Sequence, residues 1–574
     1  MRIKNKLLIS LVAFVFACSN NKTSNDSAPA SAANAIYFGG GIITMEGDSA
    51  HYAEAIAVKD GKIVFVGSKA DAEKMKGDST VMNDLQGKTL LPGFIDPHSH
   101  FINALSISSQ ANCSPSPVGE ANDVNGIIAA LTKLKSDKKI PDGELIMGYG
   151  YDENAMPNGT TLNRDDLDKA FPNNPIMVLH FSLHGAVLNS KALKNYGISD
   201  KTVTPAGGVL IRKRGTNEPY GLIMETAFLP IFSQLPKPTA VQQKQQLQDG
   251  QLLYASAGIT TAQEGASHLG DISILETGAK NKELFIDIIS YPFITEFDTI
   301  MKLHTAGDFG KYNNHFKLGG IKITTDGSGP GRTAFFTTPY LTGGPAGQKN
   351  WKGEPTFPQE LLNQMVKKVY DKNLPLLIHV NADAAIDMAL KAHEYASAGN
   401  PSAARRTTMI HSQFIRKDQL EKYAKYNLIP SFFTEHTFFF ADVYMKSRGP
   451  EQTNFISPMK SAIALGMHPT NHTDFNVFPI DQMMVVGTAV NRTSRSGKLI
   501  GADERITPYQ SLQAITINAA YEYFEENSKG SIKTGKLADL VILDKNPLKV
   551  NPATIKDIRV LETIKEGKSI FKKQ

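Results

Sequence analysis

The chain has 574 residues, enough for one large domain plus a smaller one, because a single core stops growing near ~250–300 residues. Its composition (41% hydrophobic, 20% charged) excludes a disordered, fibrous or repetitive protein. The formal charge of +5 falls to +2 once Arg2, Lys4 and Lys6 are removed with the leader described next, and no dense Lys/Arg tract interleaved with aromatics occurs, so nucleic acid is excluded as a partner.

Residues 1–17 read as an export signal. A short basic stretch precedes the apolar run 7–17, which falls well below the ~20 residues that span a bilayer. Ala17 followed by Cys18 resembles a bacterial lipobox, which implies cleavage before Cys18 and lipid attachment to it. The alternative is a plain secretory signal with an incidental cysteine. Residues 18–34, rich in Ser, Asn and Ala, read as the lipidated cysteine and a flexible tether. Ser19 in place of an Asp favours the outer membrane, so the expected location is the bacterial cell envelope, on the outer membrane or facing the periplasm. With Cys18 acylated, Cys113 stands alone and no intrachain disulfide is available. Thiols are also too few for a cysteine-based zinc site, so any metal must use His or carboxylate. The oligomeric state stays open between monomer and homodimer.

After the tether, short strands separated by turns are predicted at 35–38, 41–45, 53–59, 62–66 and 89–91, with similar runs at 540–543, 560–564 and 570–571. Two β-rich ends around a large middle predict one composite β-sandwich domain, 35–92 with 530–574. Between them, β-branched runs alternate with helical stretches. Strands are expected at 93–95, 259–262, 285–289, 318–323, 376–379, 407–411, 428–431 and 468–473, and helices include 240–257, 359–372, 384–398 and 417–425. Eight alternating units predict an α/β protein with a TIM (β/α)8 barrel over 93–529. Residues 101–250 fit no simple unit and read as a large insertion after the first barrel strand. The Gly/Pro-rich stretch 327–351 reads as a lid or substrate loop.

The sharpest local signal is Leu91-Pro-Gly-Phe-Ile-Asp-Pro-His98-Ser-His100, an apolar strand running into His-x-His. Alternation puts both imidazoles on one face, where they can chelate one ion. His379, His411 and Asp474 each end another predicted strand. One such residue has an ordinary structural explanation; several strands each delivering a ligand type at the C-terminal end is how barrel active sites are assembled.

These residues resemble the amidohydrolase superfamily, and within it the amidohydrolase family 3 branch, over roughly residues 36–574. Besides His-x-His, the resemblance is carried by Gly320-Ile-Lys322-Ile-Thr-Thr-Asp326-Gly-Ser328, His379-Val-Asn-Ala-Asp383-Ala-Ala-Ile-Asp387, His411-Ser-Gln413, Thr473-Asp474 and Gly535-Lys-Leu-Ala-Asp539-Leu-Val. Gly148-Tyr-Gly-Tyr-Asp152 and His184-Gly-Ala-Val-Leu-Asn189 also look like that branch. Ala382 and Phe475-Asn476 depart from it in the expected pocket lining.

The resemblance implies a metal-dependent hydrolase acting on a C–N bond of a small molecule. Lys322 is expected to be N-carboxylated, because a free ammonium cannot ligate a metal whereas a carbamate bridges two; the ordinary alternative is a lysine paired with Asp326. His98 and His100 would hold the first ion with Asp474, and Lys322 would bridge to a second held by His379 and His411. Two zinc ions are the first choice, with other transition metals open. Asp474 would serve as general base and then acid. Asp383 and Gln413 are candidates for orienting imidazoles, Asp326 for supporting the ligands or substrate, and His184, Arg332 and His436 for reaching substrate. Trp351 would pack the substrate or anchor the loop, and Asp96 would shape the turn before His98. Two other readings stand beside this one, an esterase-type hydrolase and a non-catalytic ligand-binding surface lipoprotein.

Overall fold

The computed structural model describes residues 32–573 apart from 117, 154–155, 158–159, 182–184, 206–207, 233, 236–237 and 346–347. The export signal, Cys18 and His184 lie outside the described residues.

The chain begins with β1 (Ala35–Ile43), β2 (Tyr52–Lys59), β3 (Lys62–Gly67), β4 (Val81–Asp84) and β5 (Thr89–Pro92). The short β6 (Phe94–Ile95) follows at once. Residues 101–250 then supply β7 (Ala111–Asn112), β8 (Ile146–Tyr151), β9 (Ile176–His180), β10 (Gly185–Leu188), β11 (Gly208–Arg212) and β12 (Pro219–Glu225). Further on come β13 (Ile259–Ser267), β14 (Asp287–Pro292), β15 (Phe316–Leu318), β16 (Ile321–Thr324), β17 (Leu376–Val380), β18 (Thr408–His411), β19 (Ile429–Phe432) and β20 (Thr470–Asn471). The chain closes with β21 (Leu540–Leu543), β22 (Val560–Lys565) and β23 (Lys568–Lys572).

Strands of both termini form one eight-stranded sheet in the order β23-β22-β21-β5-β1-β2-β3, with β4 on β1. Its two halves share one apolar cluster, in which Ile56 and Val58 meet Leu540, Ile542 and Ile564. The seam is the antiparallel pairing of β5 with β21, Leu540 opposite Pro92. One residue later Gly93 N–H donates to Asp539 C=O at 2.8 Å, and the chain passes into β6. The sheet therefore fixes where the His-x-His strand starts.

The middle strands are parallel and fall in two ladders, β15-β14-β13-β6 and β16-β17-β18-β19-β20. A parallel bridge between Phe293 and Lys322 joins the ladders on one side. On the other, Asp474 N–H donates to His98 C=O at 3.0 Å and His100 N–H to Phe475 C=O at 2.7 Å. The predicted strand 318–323 is divided into β15 and β16 at Gly319-Gly320, for a steric reason. A Cβ on Gly319 would stand 2.6 Å from Ile289 and Tyr291, and one on Gly320 only 2.3 Å from Pro375 C=O. Helices between strands start as the sequence leads one to expect. Helix Ala240–Ser256 has a capping box of Thr239 and Gln242, worth about 1 kcal/mol, and buries Leu247 and Tyr254. Helix Gln359–Tyr370 buries Leu362, Val366, Val369 and Tyr370, spaced three or four apart as a core-facing stripe requires.

Residues 101–250 build a sheet of their own, β11-β12-β10-β9-β8-β7, with a separate apolar cluster around Ile127, Leu131, Ile146, Ile176 and Val178.

Candidate metal centre

Every residue of the expected ligand set lies at or near a C-terminal strand end, and the strands bring them together. His98 and His100 follow β6; Ser99 between them turns the other way and donates to Gln263 C=O at 2.9 Å. Lys322 is the second residue of β16, His379 the fourth of β17, and His411 ends β18. Asp474 follows β20 and is pinned by its backbone bond to His98. His411 and Asp474 both hold φ in the left-handed region, at +69° and +50°, which costs a non-glycine residue about 1–2 kcal/mol. Such strain persists only where the surroundings enforce it.

The distances are short. Asp474 Oδ1 lies 3.5 Å from both His98 Nε2 and His100 Nε2. Lys322 Nζ is 3.2 Å from His98 Nε2, and His411 Nε2 is 3.1 Å from His379 Nδ1. The His98 and His411 rings are 5.5 Å apart. Burial holds His98 and His411 well below the usual imidazole pKa and brings His379 down to about 3. It also brings Lys322 down to about 7. Burial presses on His100 too, but the Asp474 carboxylate beside it holds that imidazole above its ordinary value.

Partners around this set orient it. His98 Nδ1–H donates to Gln263 Oε1 at 2.5 Å. The amide cannot be reversed, because Gln263 Nε2 donates to Pro97 C=O at 2.6 Å and to Tyr523 Oη at 2.8 Å, while Tyr523 donates to Asp96 C=O. The His98 tautomer is thereby set with the Nε2 lone pair facing Lys322 and Asp474. Glu264 Oε2 accepts from Ile102 N–H at 2.7 Å and secures the start of the helix after His100. Asp96 accepts from Thr473 Oγ1 at 2.6 Å, tying the first strand end to the last.

Of the other described candidates, Asp326 stays beside His379 and the rest are engaged with other partners. Asp326 accepts from Asn381, Ala382 and Phe335 N–H groups and has an oxygen 3.5 Å from His379 Nε2; burial raises its carboxyl to about 7. Asp383 orients no imidazole: its carboxylate takes Thr337 N–H at 2.9 Å and the Thr337 hydroxyl, and pairs with Arg416. It starts the helix Asp383–Ala396, where a carboxylate does better holding the loop above it. Gln413 Oε1 accepts from Ser457 Oγ at 3.1 Å, so it too is engaged away from the histidines. Arg332 reaches Gly343 C=O at 3.4 Å, and Trp351 Nε1 donates to Arg332 C=O at 2.7 Å, an anchor within the loop. His436 Nδ1 bonds the Tyr444 hydroxyl at 2.8 Å.

A model of the amidohydrolase family matches residues 82–571, which is most of the sequence. The chain belongs to the amidohydrolase family. Among relatives, it is 26% identical over 557 residues to the YtcJ protein of Bacillus subtilis, covering 94% of this chain and 99% of that one. It is 24% identical over 535 residues to the N-substituted formamide deformylase of Arthrobacter pascens, covering 90% and 94%. An uncharacterized metal-dependent hydrolase from Pyrococcus horikoshii has a similar fold, with a TM-score of 0.69 at 21% identity over 90% of this chain and 99% of that one.

Amidohydrolases are metal-dependent hydrolases, and the residues here fit a divalent ion. His98, His411 and Asp474 each offer a ligand atom, all within 4.8 Å of one another. His411 Nδ1 is buried with no hydrogen-bond partner among the described residues. Neutral imidazoles and a carboxylate are the donors that zinc and its neighbours favour. The motifs that carried the resemblance do not include Gln263, Glu264 or His472. The one signal for His472 was its position two residues before Asp474, on the same face of the strand.

Proposed function

We propose that this amidohydrolase cleaves an amide-type C–N bond of a small molecule at the C-terminal ends of eight parallel strands that close as a (β/α)8 barrel. Composite terminal sheet and 101–250 insertion flank that barrel. The observation that carries the reading is the convergence of His98, His100, Lys322, His379, His411 and Asp474, from five separate strand ends, onto one buried point. His98, His100 and Asp474 would hold one ion and His379 and His411 a second, with an N-carboxylated Lys322 between them. Zinc suits these donors. Bound there, a divalent ion supplies Lewis acidity, lowering the pKa of a coordinated water toward ~7 and polarising a carbonyl.

The chain's own groups do the rest. Gln263 keeps His98 in the ligating tautomer. The Asp474 carboxylate, beside His98 and His100, takes the proton of the attacking water and returns it to the departing nitrogen, which leaves as a neutral amine. Burial brings the Lys322 amine down to about 7, so a substantial share is uncharged near neutral pH, the form that adds CO2. Arg2, Lys4, Lys6, the apolar run and Cys18 support export to the cell envelope and a lipid anchor.

The test is metal content per chain together with hydrolysis of an amide and an ester panel, with and without chelator. Chelator-sensitive amide hydrolysis restored by Zn2+ is expected. Hydrolysis of esters alone, or turnover indifferent to chelation, contradicts the proposal.

A further inference from the structure

His472 is completely buried, with 0% of its surface exposed. Among the described residues, neither of its ring nitrogens has a hydrogen-bond partner. A neutral imidazole carries one lone pair and one N–H, and a buried polar atom left unmet is destabilising. The ring's neighbours explain why nothing meets it. It stands edge-on to His98 at 5.2 Å and to His411 at 5.0 Å, and lies 4.7 Å from the Phe433 ring. Two of these three neighbours belong to the trio whose ligand atoms fall within 4.8 Å of one another.

The strand holds the ring in this position. Asn471, on one side, donates from Nδ2 to Thr434 Oγ1 at 2.8 Å and to Val485 C=O at 3.2 Å. Thr473, on the other, donates its hydroxyl to Asp96. Both neighbours are tied to other groups, and His472 is left facing the His98 and His411 rings. Rotating the strand to give His472 another partner would break the Asn471 and Thr473 bonds together.

We propose that His472 is a further ligand of the metal centre, giving a ring nitrogen to the ion that His98 would hold with His100 and Asp474. An ion takes up the lone pair, leaving one unmet group on the ring instead of two. The inference rests on the metal-dependent reading above.

The test uses the full mature chain with Co2+ and Zn2+ as probes. Metal affinity and stoichiometry are measured by titration and elemental analysis, and the geometry by the Co2+ visible spectrum, for the parent, His472→Phe and His472→Gln. Both variants are expected to bind one ion at least ~10-fold more weakly, the scale on which even outer contacts act, and to shift the cobalt bands. The metal-free His472→Phe protein is expected to melt at the parent's temperature or above it, because an unmet buried polar group has been removed. A residue that only supports the fold would lower that melting temperature and leave metal affinity alone. If either variant keeps the parent's affinity and cobalt spectrum, His472 is no ligand and the proposal is overturned, while the metal-dependent reading stands. A parent that binds neither ion overturns both.

Discussion

The two ends of the parallel strands make opposite use of buried polar groups. At the C-terminal ends, neutral or titratable side chains converge and, among the described residues, some are left without partners: His411 Nδ1, Asn381 Oδ1 and both nitrogens of His472. At the N-terminal ends, full charges are buried and paired. Asp287, the first residue of β14, meets Lys529 and, at 2.8 Å, both Lys565 Nζ and His315 Nδ1. Lys565 also pairs with Asp539 at 2.8 Å, and Glu525 pairs with Lys317 and Lys529. Asp287, His315 and Glu566 have ligand atoms close enough for an ion, but the two ammoniums on Asp287 already neutralise it. This network ties strand bottoms to the terminal sheet through Asp539 and Lys565. Unmet polar atoms also occur elsewhere, at Thr89 and Gln110, so it is the clustering of several beside the histidines that fits a ligand site, while the met charges mark where the fold is fastened.

Substitutions at the two ends test that division. Asp474→Asn is expected to have the largest effect, lowering kcat by about 10²–10⁴-fold while the melting temperature and circular dichroism stay near the parent's. Asp287→Asn should do the reverse. It leaves Lys529 and Lys565 facing each other without their shared carboxylate, which costs about 3–5 kcal/mol in denaturant unfolding, yet kcat of the folded protein should stay within twofold. Loss of turnover in Asp287→Asn, or unfolding of Asp474→Asn, would break the comparison.

Smaller effects sharpen it. Gln263→Met frees the His98 tautomer, and metal affinity is expected to fall about 10–100-fold in competition with a chromogenic chelator. An unchanged affinity would mean that packing alone orients His98. The smallest effect is the pH dependence of Asp287's contribution, which is confined to the acid range. Burial works against its ionisation, but Lys529 and Lys565 hold its carboxyl well below the usual value of 3.8. The unfolded chain then takes up a proton near that value while the folded chain resists. The contribution is complete above pH ~4 and is lost as pH falls through the lower folded pKa. Urea midpoints measured down through the acid range should drop more steeply for the parent than for Asp287→Asn.

Much of the centre was legible in the sequence because His379, His411 and the His-x-His pair follow apolar runs, while Lys322 and Asp474 were legible through the motifs that carried the resemblance. His379, His411 and the His-x-His pair sit where β-branched strands stop, and strand order does the rest. The terminal strands were legible from the turns between them for the same local reason. What stayed hidden depends on distant contacts. Gln263 lies 165 residues from His98 and carries no motif of its own. Lys529 and Lys565 are 242 and 278 residues from Asp287, and each reads alone as a surface charge. Asp383 misled because nearness in sequence to His379 was taken for nearness of side chains, whereas the turn into the helix aims it at Thr337 and Arg416. The six-stranded sheet of residues 101–250 was not read at all, because several of its strands are very short, such as the two residues of β7 and the four of β10.

The most direct test of the central claim is a crystal structure of protein grown with zinc, with data at the zinc absorption edge. Anomalous density is expected within coordination distance of His98, His411 and Asp474, with extra density extending from Lys322 Nζ. Anomalous density only elsewhere, with these side chains bonded to one another and to solvent, would contradict the account.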